Sequence, residues 1–448
     1  MELYLKNQLQ IALIIYTGQM MVGFGLGWSA PIIPILQDTE HTPLPSIISG
    51  QQASWIGSAL YIGTIIGPYV SGYLSNIQGR TPCLILGGIL TLFSFILLAM
   101  SSNLAMILAG RIFTGLGTGI IFVTNLVYIG EIASTNIRGI LLTGTGVFST
   151  VGTLVVFSVA PYVPYWASSV VGLAITAGYV VGLMFIPESP MFFIIKEREE
   201  DAINVLKMLG REDDIGMLLS VKQTESDQNS DWKDLFTIKS NRRAFIITFV
   251  LGILQQLSGI IVVVFFATTI FDMADSSIEP NTATIIIGVT QIVSSCIAPF
   301  FVERSGRKIL LLASTGCCCI SLAVLGTYFL LDHYNHSVVA KVQWLPLVIL
   351  MVFFLSYDMG FGIIPGTFIG EMFQSNIRSI GSAVTVTSAW LFGFGVASAF
   401  DLLISFLGGH GTFWMFAGAC GLAFVFTAIF VPETRGKSLL EIQEMLSK

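Results

Sequence analysis

Apolar residues gather along the chain in runs long enough to cross a bilayer, which takes about 20 residues of helix. Six such runs cover 11–36, 51–75, 83–101, 104–129, 139–160 and 165–186. Six more cover 243–271, 281–303, 309–331, 344–369, 379–404 and 411–431, and a charged stretch, 187–242, separates the sets. Gly and Pro recur inside the runs, as lipid-embedded bundles tolerate. The pattern predicts an all-α membrane protein of twelve transmembrane helices in two pseudo-symmetric six-helix bundles. The N-terminal bundle takes residues 1–186, the cytoplasmic linker 187–242, and the C-terminal bundle with a short tail 243–448. Within the linker, Ala202, Val205, Leu206 and Leu209 follow the charged residues 197–201 at helical spacing. That spacing predicts a short amphipathic helix over 196–210, whereas 222–231 reads as an unstructured charged linker.

Composition sharpens this picture. The 448 residues are 54% hydrophobic and 11% charged, and mean hydropathy is +0.81. Soluble domains carry roughly 25% charged residues. Placing both termini in the cytoplasm puts every Lys and Arg inside except Arg111, in a helix, and Lys341, in an outer loop. The Asn335-His336-Ser337 sequon then falls outside, where a plasma-membrane protein is glycosylated. His41, His333, His336 and His410 fall in outer loops too. The six cysteines lie in apolar runs, without metal-ligand or paired spacing. No metal cluster, nucleophile motif, phosphate loop or nucleic-acid patch is visible. The expectation is a monomeric carrier that is not an enzyme, needs no cofactor or metal, and works on a small solute in the lipid bilayer.

Three patterns occur twice in the same order. Asn76-Ile-Gln-Gly79-Arg80 matches Glu303-Arg304-Ser305-Gly306-Arg307. Glu131 followed by Arg138 matches Glu371 followed by Arg378. Pro187-Glu188-Ser189 matches Pro432-Glu433-Thr434. Such order points to a duplicated six-helix unit. All six copies fall at predicted cytoplasmic helix ends. There Arg80, Glu131, Arg138, Glu188, Glu303, Arg307, Glu371, Arg378 and Glu433 can form an inner gate of charge pairs.

At these residues the chain resembles the major facilitators, specifically the sugar porter family. The ordered motifs are Arg111 with Gly115 and Gly119, Tyr128-x-x-Glu131 to Arg138-Gly139, Pro187-Glu188-Ser189-Pro190, Gln255-Gln256-Leu257-Ser258-Gly259, Glu303-Arg304-x-Gly306-Arg307, Gly370-Glu371 to Arg378, and Pro432 to Gly436. The stretch from Gly409 to Trp414 and on to Ile442 is most similar to insect facilitated trehalose and glucose carriers. The resemblance implies alternating access and a sugar site built from amides, a carboxylate and a tryptophan. On this chain the amides and the carboxylate are Gln255, Gln256, Gln291 and Asp358; the family's tryptophan position is Gly366, and Trp390 on the eleventh run could supply an apolar platform for the sugar ring instead. Gln291 stands where the family has Asn, and Asp358 where glucose carriers have Glu. Gly146, Ile261, Gly366 and Ala389 replace further polar or aromatic groups of the family, Thr81 stands for the second Arg of the first pair, and Met191 replaces the Arg after Pro-Glu-Ser-Pro. Fewer donors and acceptors remain for hydroxyls, so a larger or less polar substrate could use the space.

Among the charges inside the runs, which are costly and mostly functional, two stand out, Asp358 and Arg111. Asp358 reads as a substrate ligand. Arg111 has no acid to meet on the first run, because no Asp or Glu occurs between Glu2 and Asp38. This favours downhill uniport over proton symport, and the resemblance implies a hexose or trehalose as the solute. The alternatives are a proton-coupled sugar symporter and a non-transporting sugar sensor with an eroded pocket; the repeated charge pairs favour a protein that rocks.

Overall fold

The computed structural model describes every residue except 1, 135–136, 212–213, 215, 217–232, 374–377, 436, 438 and 448; the side chains at 2, 3, 5, 234, 303, 370, 378–380 and 439–440 are likewise not described. The linker segment 222–231 therefore lies outside the described residues. Among the described residues all regular structure is helical.

Spans 1 to 6 are Lys6–Gln37, Gly50–Ile77, Arg80–Ala99, Leu104–Ile132, Arg138–Tyr162 and Tyr165–Leu183. Spans 7 to 10 are Lys239–Met273, Pro280–Ser305, Arg307–His333 and Leu345–Met372, the seventh and tenth in several helical pieces. Spans 11 and 12 share the stretch Arg378–Phe430, parted at Gly408 by φ 68° and ψ 174°. Span 2 is less apolar than its neighbours in the first unit, yet its 28 residues carry no charge. The helix of span 1 begins at Glu2, nine residues before its apolar run, because polar residues extend it past the hydrocarbon.

The chain forms two compact units. The first takes Met1–Ile47 and Ala59–Gln228. Its spans touch backbone to backbone at glycines. A Cβ on Gly23 of span 1 would lie 1.7 Å from the Ser149 carbonyl of span 5, and one on Gly115 of span 4 would lie 1.9 Å from the Leu60 carbonyl of span 2. Without a hydrophobic drive between helices in lipid, such close approach is what holds a bundle together. Several buried polar groups are satisfied across spans. Tyr16 donates to the Leu141 carbonyl at 2.8 Å, Tyr179 donates to Asn125 at 3.0 Å, and Asn125 donates to the Ile15 carbonyl at 3.2 Å. After span 6 come two short helices, Pro190–Ile195 and Glu199–Leu209. The second, the linker helix, buries Ala202, Leu206 and Leu209. Gln8 of span 1 donates to its Leu209 carbonyl at 2.8 Å and accepts from the Ser134 amide at 3.1 Å.

The second unit takes Ile48–Ser58 and Asn229–Lys448, so the opening turns of span 2 count with it. There the Asp401 amide donates to Ser54 at 3.1 Å, and Trp55 meets the Phe394 ring edge-on at 5.9 Å. A tail helix, Leu439–Ser447, docks through Gln443, which donates to the Met372 carbonyl at 2.5 Å.

Span 7 breaks where the Gln-Gln-Leu-Ser-Gly sequence ends. Its first helix stops at Leu257 and the next runs Ile260–Phe265. Gly259 between them has φ 77°, and a Cβ there would sit 2.4 Å from the Phe416 ring. Gly259→Ala combines left-handed strain with that clash, a cost on the order of 1–3 kcal/mol. Thermal unfolding of the detergent-solubilised protein should show a clearly lowered midpoint for Gly259→Ala. Gly418→Ala, whose added Cβ meets nothing within 4 Å, should leave it in place.

Candidate functional site

The repeated motifs build the same cluster in each unit. In the first, Arg80 opens span 3 and is 6% exposed. Its Nη2 and Nε donate to the two carboxylate oxygens of Glu131, at 2.8 and 3.1 Å, a two-pronged geometry that strengthens an ion pair. Glu188 accepts the amides of Arg80 and Thr81 at 2.8 and 3.0 Å, so a carboxylate caps the start of span 3. Ser189 donates to Glu131, and the Arg80 Nη1 donates to the Ser75 carbonyl at 3.0 Å. In the second unit Arg307 opens span 9. Its Nη2 and Nε donate to a single oxygen of Glu371, at 3.1 and 3.3 Å. Glu433 accepts the amides of Arg307 and Lys308, both at 3.0 Å. Thr434 donates to Glu371 at 2.5 Å. Gly79 and Gly306 precede the two arginines with φ 113° and 88°, and a Cβ on either would strike the capping carboxylate at 2.3 or 2.9 Å.

The sequence pattern paired Glu131 with Arg138; the structure pairs it with Arg80. Span 4 ends at Ile132 and Arg138 begins span 5, so the two are not neighbours on one helix. Arg138 donates to the Ala133 carbonyl at 3.4 Å, and its buried Nε has no partner among the described residues. The side chains of Glu303 and Arg378 lie outside the described residues. Ser189 and Thr434 were missed, although a hydroxyl after Glu in both copies was a signal. Arg211, also missed, donates to the Glu131 carbonyl at 2.6 Å and ties the segment after the linker helix to this cluster.

The second constellation joins spans 7, 8 and 10. Residues Tyr357–Phe361 of span 10 form a π-helical turn, a form concentrated at functional sites. Its wide turn leaves backbone groups unmatched, and Ser314 of span 9 takes both: it donates to the Ser356 carbonyl at 2.6 Å and accepts from the Phe361 amide at 2.8 Å. Gln255 donates to the carbonyls of Phe361 and Gly362 at 2.7 and 3.2 Å. Asp358, inside the turn, accepts from Ser294 of span 8. Ser294 also donates to the carbonyl of Gln291, one turn earlier, at 3.0 Å. Gln291 and Gln256 are buried, at 6% and 8% exposure, and the Gln256 Oε1 has no partner among the described residues. Thus Gln255 and Asp358 meet at this turn of span 10, and Ser294 ties it to span 8 one turn after Gln291, whose backbone carbonyl it also contacts. Trp390 does not join them by a hydrogen bond or ring contact among the described residues; it is half-buried, beside Ala389, which lies opposite Gly252 of span 7. An added Cβ at Gly146 or Gly366 meets nothing within 4 Å. Asn335 sits exposed just beyond span 9, with φ 50°.

The family model described as "Sugar (and other) transporter" matches residues 11–446. The chain belongs to this family. It is a multi-pass membrane transporter of the sugar porter branch of the major facilitators. It is 34% identical to the facilitated trehalose transporter Tret1 of Bombyx mori, over 100% of this chain and 88% of that one. It is 31% identical to the Anopheles gambiae protein of the same name, over 99% of this chain and 56% of that one, so it spans about half the length of the mosquito relative. The fold matches the inward-open form of the xylose transporter XylE from E. coli with a TM-score of 0.81, 22% identity, 98% of this chain and 99% of that one covered.

Within this sugar porter chain, Arg111 is fully buried in span 4. Its Nη1 donates to the Gly25 carbonyl of span 1 at 2.6 Å, and its guanidinium lies 5.3 Å from the centre of the Trp28 ring. A carbonyl and an aromatic face therefore solvate this cation.

The two capping carboxylates differ. Burial raises the Glu188 pKa, and the amides of Ser189, Arg80 and Thr81 only partly offset it. Burial acts on Glu433 too, but the amides of Arg435, Arg307, Lys308 and Thr434 outweigh it and lower its pKa. A group with a lowered folded-state pKa contributes stability above its unfolded value and loses it on acidification; a raised one contributes below its unfolded value and loses it as pH rises. Unfolding midpoints from pH 7 down through the carboxylate range should therefore move oppositely for two variants. The advantage of wild type over Glu433→Gln shrinks on acidification, while wild type gains on Glu188→Gln. Parallel shifts would contradict this electrostatic difference.

Proposed function

We propose that this transporter equilibrates a sugar, a hexose or trehalose, across the plasma membrane by alternating access of its two units. The carrying observation is the meeting of Gln255 and Asp358 at the π-helical turn of span 10, with buried Gln291 one turn from the Ser294 that bonds Asp358, and with the Oε1 of buried Gln256 lacking a partner among the described residues. Amides suit sugar hydroxyls because each offers donors and an acceptor. The names of the relatives support the substrate class. In this reading Gln255, Gln256, Gln291 and Asp358 bind the sugar and Trp390 offers an apolar platform for its ring. Arg80, Glu131 and Glu188, with Arg307, Glu371 and Glu433, form the inner gate, to which Arg138, Glu303 and Arg378 also belong. The chain works as a monomer, its termini face the cytoplasm, and Asn335 carries glycan outside. Its action is translocation and it makes no covalent change.

Downhill transport follows from span 1, which carries no acid between Glu2 and Asp38, and from the contact of Arg111 with the Gly25 carbonyl. Open space at Gly146 and Gly366 favours a second reading, a sugar sensor whose pocket no longer supports transport.

Vesicles containing the purified chain, offered labelled trehalose and a panel of hexoses, test both. The expected result is equilibration of one sugar without accumulation, unaffected by a protonophore. Uptake against a gradient that a protonophore collapses would replace uniport with symport, and binding without uptake would favour the sensor. Losing a buried hydrogen-bonding partner costs about 1–3 kcal/mol, so Gln256→Ala should weaken sugar binding roughly ten- to a hundred-fold. Ile89→Ala, at a site 50% exposed on span 3, should leave it unchanged; equal affinities of the two variants would remove Gln256 from the site.

A further inference from the structure

We infer that the crevice where the ends of spans 1 and 6 meet the linker helix holds one anionic phospholipid. The inference rests on the membrane-spanning reading of the chain and is independent of the transported solute. The crevice lies wholly within the first unit and encloses about 460 Å³, inside the roughly 300–1,000 Å³ range of ligand sites. Its walls are apolar: Leu13 and Ile14 from span 1, Phe185 and Ile186 from the end of span 6. Leu13 is 56% and Phe185 80% exposed. Large apolar side chains bared on a spanning bundle face acyl chains, so the crevice opens from the lipid surface.

Its other end is polar. Asn7 and Gln10 of span 1 line it, together with Met208 of the linker helix. Asn7 donates to the Met208 carbonyl at 3.0 Å, so this edge is fixed. Lys6 directly precedes Asn7 and Lys207 directly precedes Met208, and both are exposed. The acids of the linker helix, Glu199, Glu200 and Asp201, occupy its first turn, roughly 9 Å or more along the axis from Lys207 at the helical rise. Asp201 is paired with Arg198 at 2.7 Å. Pro187 also lines the crevice, and the carboxylate of Glu188 after it accepts the amides of Arg80 and Thr81, so Lys6 and Lys207 are the exposed charges next in sequence to the lining residues. An apolar slot, a rim of amides and two flanking lysines match an amphiphile with an anionic head, the chemistry of basic interfacial lipid sites. A lipid seated there would also brace the linker helix, whose last two carbonyls are held by Asn7 and Gln8.

Native mass spectrometry of the detergent-solubilised full chain tests this, with phosphatidylglycerol and phosphatidylcholine titrated in parallel. The expected result is one tightly retained phosphatidylglycerol, with phosphatidylcholine at least ten-fold weaker. The double variant Lys6→Ala/Lys207→Ala should lose about 30-fold in phosphatidylglycerol affinity, as two lysines at about 1 kcal/mol each imply, and keep its phosphatidylcholine affinity. Leu13→Trp fills the slot and should abolish the tight binding with an unchanged unfolding midpoint, because the position is already half exposed. Equal retention of the two lipids by wild type would overturn the anionic specificity. Wild-type retention by both variants would overturn the site.

Discussion

In hydrocarbon every backbone N–H and C=O must find a partner within the protein, and the irregular parts of this bundle follow from that constraint. Spans 7 and 10 depart from regular helix, and the departures lie against each other through Gln255. The π-helical turn is matched by Ser314 from one side and by the Gln255 amide from the other. The adjacent glutamines are thereby distinguished. The Gln255 amide is engaged by carbonyls of span 10, whereas the buried Oε1 of Gln256 accepts nothing among the described residues. An orphaned buried acceptor is costly, and it marks the glutamine still able to receive a hydroxyl. Irregular backbone and a polar site coexist because the groups that mend the first sit beside the second.

The repeated motifs build two clusters with one plan and unequal electrostatics. Both cap a span with a carboxylate and hold a second carboxylate between an arginine and a hydroxyl. Arg80 grips both oxygens of Glu131, while Arg307 reaches one oxygen of Glu371. The Arg80 side chain is 7% exposed and that of Arg307 20%. Less solvent screens the first pair, so its attraction is stronger and its desolvation cost larger. The same contrast separates Glu188 from Glu433, where burial wins in one and amide donors win in the other.

Much of the fold was legible because span length and charge avoidance are set by the bilayer and written in single runs of sequence. The linker helix was legible for the same reason, its apolar residues repeating on one face. The charge clusters were legible as a repeated inventory and only partly as pairs. Spacing suggested Glu131 with Arg138, but the chain turns between spans 4 and 5, and the partner of Glu131 comes from span 3, 51 residues earlier. In the site, Asp358 stood out as a charge in an apolar run. Ser294 and Ser314 did not, since a serine in a spanning helix ordinarily bonds its own preceding turn. Only tertiary placement brings them to Asp358 and to the π-helical turn. Trp390 was expected as an apolar platform, and among the described residues no hydrogen bond or ring contact ties it to the glutamines.

Arg111 carries the last step. A guanidinium keeps its charge under ordinary conditions, so it needs solvation inside the bundle whatever the transport state. Gly25 supplies a carbonyl and Trp28 a ring face, and neither takes up or releases a proton. Proton coupling requires a titrating group whose charge changes as the carrier turns over. Span 1 offers no carboxylate for that role between Glu2 and Asp38. Asp358 is the carboxylate within the apolar runs of the second unit's spans 7 to 10 that lies at the glutamine site, and Ser294 of that same unit satisfies it. In the proposed reading the Asp358 carboxylate binds the solute itself, and the Gly25 carbonyl and Trp28 ring beside Arg111 impose no proton cycle. Both charges are therefore compatible with movement of a neutral solute down its own gradient.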